Sequence, residues 1–295
     1  MNWRNFSLIV TLSLVSSVTF AQSNLLNAKT PDEIGKKTEA QLNADNDKPL
    51  PYGYVHDRDI LLGKTVWEFV DLDERINFPL YFPVEGNLGP DRKSLYAVLI
   101  ENMKSGKITE VYDDSYFTTK KTQKDIESSL SKIDTTDAGR EQYNAGEAIT
   151  EDNVVRTDIL PANVMGYKIK GYWYFDKRQS ELKFRLLGLC PVTPDVYTMN
   201  SDEKDYIELF WVFYPSAREV LHEAKAFNDN NSALPISFDQ VLNSRRFNAV
   251  IYKEENLYGD REIKEYMKDN AQNQLLESER VKEKIRNFEQ DMWNY

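Results

Sequence analysis

Cysteine and histidine are scarce in this sequence of 295 residues. It contains one cysteine, Cys190, and two histidines, His56 and His222. One cysteine cannot form an intramolecular disulfide, so we expect packing alone to stabilise the fold, with Cys190 as a small buried apolar side chain. The segment that begins at His222 resembles a helical zinc motif, but Ala226 stands where the second ligating histidine belongs, which excludes that site.

Signatures of other catalytic or cofactor sites are also missing or incomplete. The sequence has 12 glycines, no glycine-rich phosphate loop and no Gly-x-Ser-x-Gly elbow. A Ser–His–Asp triad would depend on the same two histidines. The polar run 228–231 resembles the start of a calcium loop, yet Leu234 and Gln240 replace its glycine and its closing glutamate. We therefore predict no catalytic, cofactor-binding or metal-binding residues.

Two groups of carboxylates leave one enzymatic alternative open. Acidic residues cluster at Asp71, Asp73 and Glu74, and again at Asp113 and Asp114. A glycosidase places one carboxylate on each side of the bond that it cleaves. The chain has 48 acidic residues, so neighbouring carboxylates are frequent by chance. An exported carboxylate-dependent hydrolase is the alternative to a protein without catalytic activity.

Positive charge is in deficit. The chain has 37 basic and 48 acidic residues, which gives a formal net charge of −11. This balance argues against nucleic-acid binding, which needs a positive surface, and against docking on anionic lipid by charge alone. Aromatic residues make up 12% of the chain, enough for an aromatic core or for contact surfaces rich in tyrosine and tryptophan.

Long apolar runs are absent after the first 21 residues. The N-terminus has a positive charge at Arg4, an apolar run over 6–18 and a small-x-small ending at Ala21, before Gln22. These are the three parts of a secretory signal peptide, and the run is shorter than the ~20 residues of a membrane span. We expect cleavage between Ala21 and Gln22, export, no membrane span and a flexible arm over 22–51.

The first part of the exported chain is predicted to contain two helices. One is expected to begin near Asp57, and the second to begin after Asp91 and to stop at Gly106. Pro79 and Pro83 predict an extended segment, Phe78 to Val84, between the two helices. A short strand over 108–112 follows. Residues at helical spacing are Ile60, Leu61, Lys64, Trp67 and Val70 in the first helix, and Leu95, Val98, Leu99 and Met103 in the second.

The middle of the chain is predicted to be rich in strands. Residues 118–152 are typical of an exposed loop with one helix, whose apolar face would be Ile126, Leu130 and Ile133. Alternating β-forming residues predict a hairpin of strands 168–175 and 181–189. The elements expected next are a strand over 206–214, a helix over 216–227 after Pro215, a short helix over 238–242 capped by Ser237, and a strand over 247–252.

A narrow apolar stripe from Gly259 to the end predicts one long charged helix. Gln274 and Ser278 interrupt the stripe, so it favours packing on the protein itself over a coiled coil. The expected whole is an α+β protein with an antiparallel central sheet flanked by helices. Its core domain would span 52–260 and its C-terminal helix 261–295. The stripe consists of Ile263, Met267, Ala271, Val281, Ile285, Phe288 and Met292.

Three blocks of the sequence, in order, are similar to the GldN/PorN family and span Tyr54 to about Glu265. The first block comprises Asp57–Ile60, Lys64–Trp67, Asp71–Asn77 and Pro79–Pro83. The second comprises Phe210–Pro215, Arg218 and Leu221, and the third Ser237–Val241, Arg245–Phe247 and Ile251–Glu254.

The resemblance implies a non-enzymatic component of the type IX secretion system, which exports adhesins and proteases and supports gliding motility. It implies a periplasmic protein that forms a ring beneath the outer membrane with the lipoprotein GldK (PorK). That ring would meet the periplasmic part of GldM (PorM), whose partner GldL lies in the inner membrane. A secreted cargo protein is a further alternative, but such cargo ends in a β-sandwich, whereas this chain ends in a predicted helix.

A ring subunit needs a contact surface on each side, and aromatic and arginine side chains are favoured anchors of such surfaces. The candidate partner-interface residues are Trp67, Tyr81, Tyr214 and Arg218. Trp173 and Trp211 lie in predicted strands, and we expect both in the core.

Overall fold

The computed structural model describes residues 48–85, 92–146, 148, 150–199, 205–227, 236–257, 259–268 and 270–293. The predicted signal peptide with Ala21 and Gln22, the arm up to residue 47, and the polar run 228–231 lie outside these residues.

An antiparallel sheet of seven strands lies at the centre of the described chain, in the order β11-β1-β5-β6-β8-β2, with β7 paired to β6. Strands β9 and β10 form a separate two-stranded sheet, and so do β3 and β4. The strands are β1 (Ile60–Asp71), β2 (Val111–Tyr112), β3 (Ser131–Thr135), β4 (Val154–Asp158), β5 (Gly166–Asp176), β6 (Glu181–Pro194), β7 (Tyr206–Glu208), β8 (Trp211–Phe213), β9 (Lys225–Ala226), β10 (Ile236–Ser237) and β11 (Val250–Glu254).

Eight α-helices occur in the described residues, so the predicted α+β class with an antiparallel sheet and a long C-terminal helix is confirmed. The helices are α1 (Phe78–Tyr81), α2 (Leu95–Lys104), α3 (Gln123–Leu130), α4 (Asp137–Asn144), α5 (Tyr214–Glu223), α6 (Phe238–Asn243), α7 (Ile263–Tyr266) and α8 (Ala271–Trp293).

Residues 60–71 form a strand after a single 3-10 turn at Asp57–Asp59, and the prediction of a helix there was wrong. Strand β1 pairs antiparallel with both β5 and β11, and its residues 66–68 are fully buried. A strand buried on both faces has a run of apolar residues in place of a clean alternation, so their spacing also fits a helix. The β-branched and aromatic residues Thr65, Val66 and Trp67 were the better signal.

The segment after β1 also differs from the prediction. Residues 78–81 form helix α1, and only from Phe82 is the backbone extended. Pro79 lies in the first turn of the helix, where its missing N–H group has no intrahelical partner to lose. A proline therefore began a helix here that we had expected it to prevent.

Two further regions, 118–152 and 206–214, have helix and strand boundaries that local sequence patterns do not show. Region 118–152, predicted as an exposed loop with one helix, contains that helix as α3 and also contains β3 and α4. Ile126 and Leu130 are buried as predicted, but Ile133 lies on β3 and is 67% exposed. The predicted strand 206–214 is divided into β7 and β8, and Tyr214 already belongs to helix α5.

The hairpin and the capped helix α6 were predicted correctly, and helix α2 was predicted without its Ser94 cap. Strands β5 and β6 pair from Gly166 opposite Val192 to Asp176 opposite Glu181. Helix α2 begins after Ser94, whose side chain accepts a hydrogen bond from the backbone N–H of Ala97. Ser237 caps α6 in the same way. Caps and hairpins depend on residues that are neighbours in the sequence, so the sequence alone can predict them.

The C-terminal stripe packs on the protein itself, as predicted, but the helix is not continuous from Gly259. Helix α7 ends at Met267, whose ψ of 67° leaves the helical range. In α8, Val281 and Ile285 are buried against Val66 of β1 and Ile251 of β11. The polar interruption at Ser278 is also buried, and its hydroxyl accepts a hydrogen bond from the backbone N–H of Ile251.

Besides the cluster of α8 with β1 and β11, two apolar regions of unequal size pack against the central sheet. The larger one forms the main core and includes residues of helices α2, α5 and α6. The smaller one consists of Trp67, Cys190 and Trp211, with Tyr112, Phe117 and Tyr252 packed around it. Cys190 is buried, as predicted. The smaller region lies beneath the candidate site.

Candidate functional site

Lysine and tryptophan side chains gather on the sheet face of the smaller apolar region. Trp67 of β1 is directly opposite Lys170 of β5 on one side and Lys253 of β11 on the other. Lys168 precedes Lys170 by two residues, and residues two apart on a strand project to the same face. The face therefore carries three lysines beside a buried aromatic layer.

One set of residues on this face is internally neutralised. In the Glu208 group (Lys168, Glu208, Trp211 and Tyr252), the indole N–H of Trp211 donates to Glu208 Oε2 at 2.7 Å. Lys168 Nζ lies 2.6 Å from Glu208 Oε1 and 4.7 Å from the centre of the Tyr252 ring. The carboxylate thus joins the lysine to the indole.

A second set has the same residue types without the carboxylate. In the Trp67 group (Trp67, Tyr116, Lys170 and Lys253), Lys253 Nζ lies 4.5 Å and Lys170 Nζ 5.0 Å from the centre of the Trp67 ring. The two ammonium groups lie 4.8 Å and 4.9 Å from the centre of the Tyr116 ring. Both lysines therefore make cation–π contacts with the same two rings.

The polar groups of this second set are only partly satisfied. Lys170 donates to the carbonyl oxygen of Ser115 at 2.9 Å, and Lys253 donates to the Tyr116 hydroxyl at 2.9 Å. Across the part of the chain that the structure describes, no carboxylate forms an ion pair with either lysine, and the buried Trp67 N–H has no hydrogen-bond partner.

The charge on Lys170 is destabilised by its surroundings. Burial and the neighbouring Lys253 lower the pKa of Lys170, while the more distant carboxylates of Glu255, Asp114 and Asp260 act in the opposite direction. A lysine with a lowered pKa has less electrostatic compensation than it would have in water. An additional anion at this position would restore that compensation.

Two loops meet over the Trp67 group. The Tyr116 hydroxyl donates to Asp260 Oδ2 at 3.0 Å and so links loop 113–119 to loop 256–260. Phe117 has a φ of 60°, a strained value for a bulky residue. Its ring is held edge-on between Tyr112 and Phe213, at 5.4 Å and 5.2 Å between ring centres. Tyr116 is 48% exposed, so the site reaches the surface there.

The chemistry of this site is that of binding. Ammonium and indole N–H groups donate hydrogen bonds and cannot accept a proton from a substrate in these states. The nearby thiol of Cys190 is fully buried, and burial raises its pKa, which makes it a poor nucleophile. Among the described residues, no group of His, Cys, Asp and Glu side chains could hold a metal ion. The arrangement fits an anionic ligand.

The predicted interface residues lie largely inside the fold. Trp67 and Tyr214 are buried, and Arg218 is 8% exposed. Tyr81 is half-buried and donates to the carbonyl oxygen of Ala162 at 3.2 Å. Trp211 is buried as expected, whereas Trp173 is only partly so. Contact of Trp67, Tyr81, Tyr214 or Arg218 with a partner stays a prediction.

Tyr214 and Arg218 converge on Asp239 of helix α6. The Arg218 guanidinium donates from Nε to Oδ1 at 2.9 Å and from Nη2 to Oδ2 at 3.1 Å, and the Tyr214 hydroxyl donates to Oδ1 at 2.7 Å. The Tyr52 ring packs against the guanidinium of Arg218 at 4.1 Å, and its hydroxyl donates to Asn243 Oδ1 at 2.8 Å. This buried network joins two of the sequence blocks and fixes the start of the described chain.

Most of the carboxylates considered for hydrolysis stabilise local structure. Asp71 Oδ1 accepts the backbone N–H of Asp73, Glu74 accepts the amide N–H of Asn248, and Asp113 lies 2.9 Å from Lys121 Nζ. Burial raises the pKa of Asp114, but hydrogen bonds from loop 113–119 outweigh it and lower the pKa overall. A glycosidase general acid needs a raised pKa, so Asp114 does not fit that role.

Sequence reasoning missed Lys170, Lys253 and Glu208. The alternation around Lys168 and Lys170 predicts that they share a face of a strand, which was the one available signal. The pairing of β1 with β11 brings Lys253 within reach of Trp67 across 186 positions of the chain, and no local pattern indicates it.

The fold and the site define an α+β protein with a cluster of cationic and aromatic side chains on its central sheet. Residues 55–294 match the family described as gliding motility associated protein GldN, and the chain belongs to this family. It is thereby a component associated with gliding motility and type IX secretion. A comparison with curated proteins gave no match. In the described ranges, no helix is long and apolar enough to cross a membrane.

Proposed function

We propose that this protein is a non-enzymatic scaffold subunit of the type IX secretion and gliding machinery and acts by assembly. The observation that carries the proposal is the family match, which covers 55–294 and thus nearly all of the described chain. The site chemistry supports it, because the Trp67 group offers hydrogen-bond donors and aromatic surfaces and includes no general base.

The proposal includes a location and partners. The protein would be exported after cleavage between Ala21 and Gln22 and would lie in the periplasm at the inner face of the outer membrane. There it would form a ring with the outer-membrane lipoprotein GldK (PorK) and with further copies of itself, and the ring would meet the periplasmic part of GldM (PorM). The arm over 22–51 would precede the core domain over 52–260.

Of the four proposed interface residues, Tyr81 has the most accessible surroundings. Its ring contacts that of Phe82 at 4.7 Å between centres, and Phe82 in turn contacts Phe78 at 5.4 Å. Phe82 is 45% exposed and Phe78 is also exposed. Such grouped aromatic side chains are typical of contact surfaces. Trp67 is buried, so it would contribute to a partner contact through the residues that cover it. Tyr214 and Arg218 would contribute by holding Asp239 and Tyr52 in place.

A pull-down of the tagged mature protein from gently solubilised envelopes, followed by mass spectrometry, tests the assembly. We expect an outer-membrane lipoprotein in roughly stoichiometric amount, and a clean deletion that abolishes type IX secretion. N-terminal sequencing of the recovered protein should begin at Gln22. A monomer recovered alone from envelopes with an intact secretion machine would contradict the proposal.

A further inference from the structure

We propose that the Trp67 group is a docking site for a carboxylate of a partner protein, which binds between the ammonium groups of Lys170 and Lys253. The proposed ligand is an Asp or Glu side chain of a protein other than this one. The inference rests on the proposed function in one respect, because it requires a partner that meets this protein in the envelope.

The first argument is the uncompensated charge. Lys170 and Lys253 flank one tryptophan, and within the described residues neither forms an ion pair with a carboxylate. The carboxylate of Asp260 reaches Lys253 only through the Tyr116 hydroxyl, so neither ammonium group contacts a carboxylate of the described residues directly. Side-by-side lysines repel each other, and partly buried charges are stabilised by an opposite charge. An incoming carboxylate would accept hydrogen bonds from both ammonium groups.

The second argument comes from the Glu208 group on the same sheet face. There a carboxylate lies 2.6 Å from a lysine Nζ and 2.7 Å from an indole nitrogen. The Trp67 group supplies the same two kinds of donor, and the buried indole N–H of Trp67 has no acceptor among the described residues. The contacts of the Glu208 carboxylate with a lysine and with an indole N–H therefore indicate how the proposed carboxylate ligand would bind beside Trp67.

Access to the site is through loops 113–119 and 256–260. Lys170 and Lys253 are half-buried, and Tyr116, which contacts both, is the exposed edge of the group. The hydroxyl of Tyr116 is shared between Lys253 and Asp260, at 2.9 Å and 3.0 Å. The site therefore reaches the surface at Tyr116, which is 48% exposed.

Charge decides between the sources of an anion. The protein has a net charge of −11, so an anionic membrane surface would be repelled by the chain as a whole. A contact between two copies of this chain in the proposed ring would work against the same net charge. A single acidic side chain on a different protein satisfies two lysines and avoids both penalties. We therefore assign the ligand to a heterologous protein.

Carbodiimide cross-linking of intact envelopes tests this directly, because the reagent joins a lysine to a carboxylate only where the two are in contact. Mass spectrometry of the purified, tagged full-length protein should show Lys170 or Lys253 joined to an Asp or Glu of another protein. The internal contact of Lys168 with Glu208 serves as the positive control, since those atoms are 2.6 Å apart.

Two double variants separate binding from folding. Lys170→Met with Lys253→Met keeps the apolar stems and removes both charges, so it should reduce recovery of the cross-linked protein in a pull-down roughly tenfold or more. Lys170→Arg with Lys253→Arg keeps the charges, so it should retain the partner while the cross-link is lost. Lys104→Met with Lys124→Met removes two charges from exposed positions and should change neither result.

Several outcomes would overturn the proposal. One is the Lys168–Glu208 cross-link together with no intermolecular product at Lys170 or Lys253. Others are a product that joins two copies of this chain, equal recovery with the methionine variant, or binding of the purified protein to phosphatidylglycerol vesicles that the same variant abolishes. If the lipoprotein is still recovered in these cases, the proposed function stands and only the docking site is wrong.

Discussion

The Glu208 group and the Trp67 group lie on one face of one sheet and each contain a tryptophan, a tyrosine and a lysine, but the fourth residue is a glutamate in the first and a second lysine in the second. In the first, an internal carboxylate connects Lys168 to the indole of Trp211. In the second, Lys170 and Lys253 flank Trp67, and the described chain offers them no carboxylate partner. The first group is complete within the protein, whereas the second has unused binding capacity.

This difference shows how structural and functional roles can be told apart within one surface. A lysine with an internal carboxylate contributes to stability and has little left to offer a partner. A lysine whose pKa is lowered by burial and by a second lysine is less stable than it would be in water, and an external anion relieves this. The candidate site is therefore identified by positive charge that no carboxylate of the described chain compensates, more than by positive charge alone.

The largest effect is expected at Gly188, because an added side chain there would meet both Phe117, next to Tyr116 of the Trp67 group, and Trp211 of the Glu208 group. A side-chain carbon there would lie 2.7 Å from Phe117 Cζ and 3.2 Å from Trp211 Cε3. Gly188→Val should therefore destabilise both groups, by about 3 kcal/mol in the free energy of unfolding measured with urea. Gly53→Val, at a position with no atom within 4 Å, is the control and should change stability by less than about 0.5 kcal/mol.

Substitution of the two tryptophans tests the difference between the two groups. Trp211→Phe and Trp67→Phe remove the same ring volume from buried positions, but only Trp211 loses a hydrogen bond to a carboxylate. We expect Trp211→Phe to cost about 2 kcal/mol more than Trp67→Phe in free energy of unfolding. Equal costs in urea titrations would show that the internal carboxylate does not distinguish the two groups.

The carboxylate itself has a smaller effect because it is partly exposed. Glu208→Gln keeps an acceptor for Trp211 and removes the ion pair with Lys168, so the expected loss of stability is about 1 kcal/mol or less. The loss should shrink further in about 1 M salt, which screens the pair. Glu219→Gln, at an exposed position of helix α5, should be neutral. A loss independent of salt would contradict the electrostatic explanation.

The smallest effect concerns pH. Lys170 has a lower pKa in the folded protein than its ordinary value of 10.5, so the unfolded chain binds more protons between these two values. As pH rises through that window, the wild type should become more stable relative to Lys170→Met, because the folded protein sheds a penalised charge first. Urea titrations of both proteins from pH 8 upward measure this, and a difference that stays constant with pH would refute it.

Local signals explain which predictions were confirmed. Ser237 caps helix α6, and the hairpin of β5 and β6 follows from alternating residues on either side of a turn. Non-local contacts explain the errors. Strand β1 is buried on both faces by its neighbours, and helix α8 is separated from α7 at Met267. Ile133 is exposed because it belongs to the β3–β4 ribbon and not to a helix.

The sequence by itself determined the family, the α+β class, the burial of Cys190 and the packing of the C-terminal stripe. These depend on composition, on blocks of neighbouring residues or on periodicity along one element. Only the tertiary structure decided that Lys170, Lys253 and Trp67 form one site beside a carboxylate-linked counterpart. Their proximity depends on the register of three antiparallel strands, and pairing between distant segments leaves no trace in any local pattern.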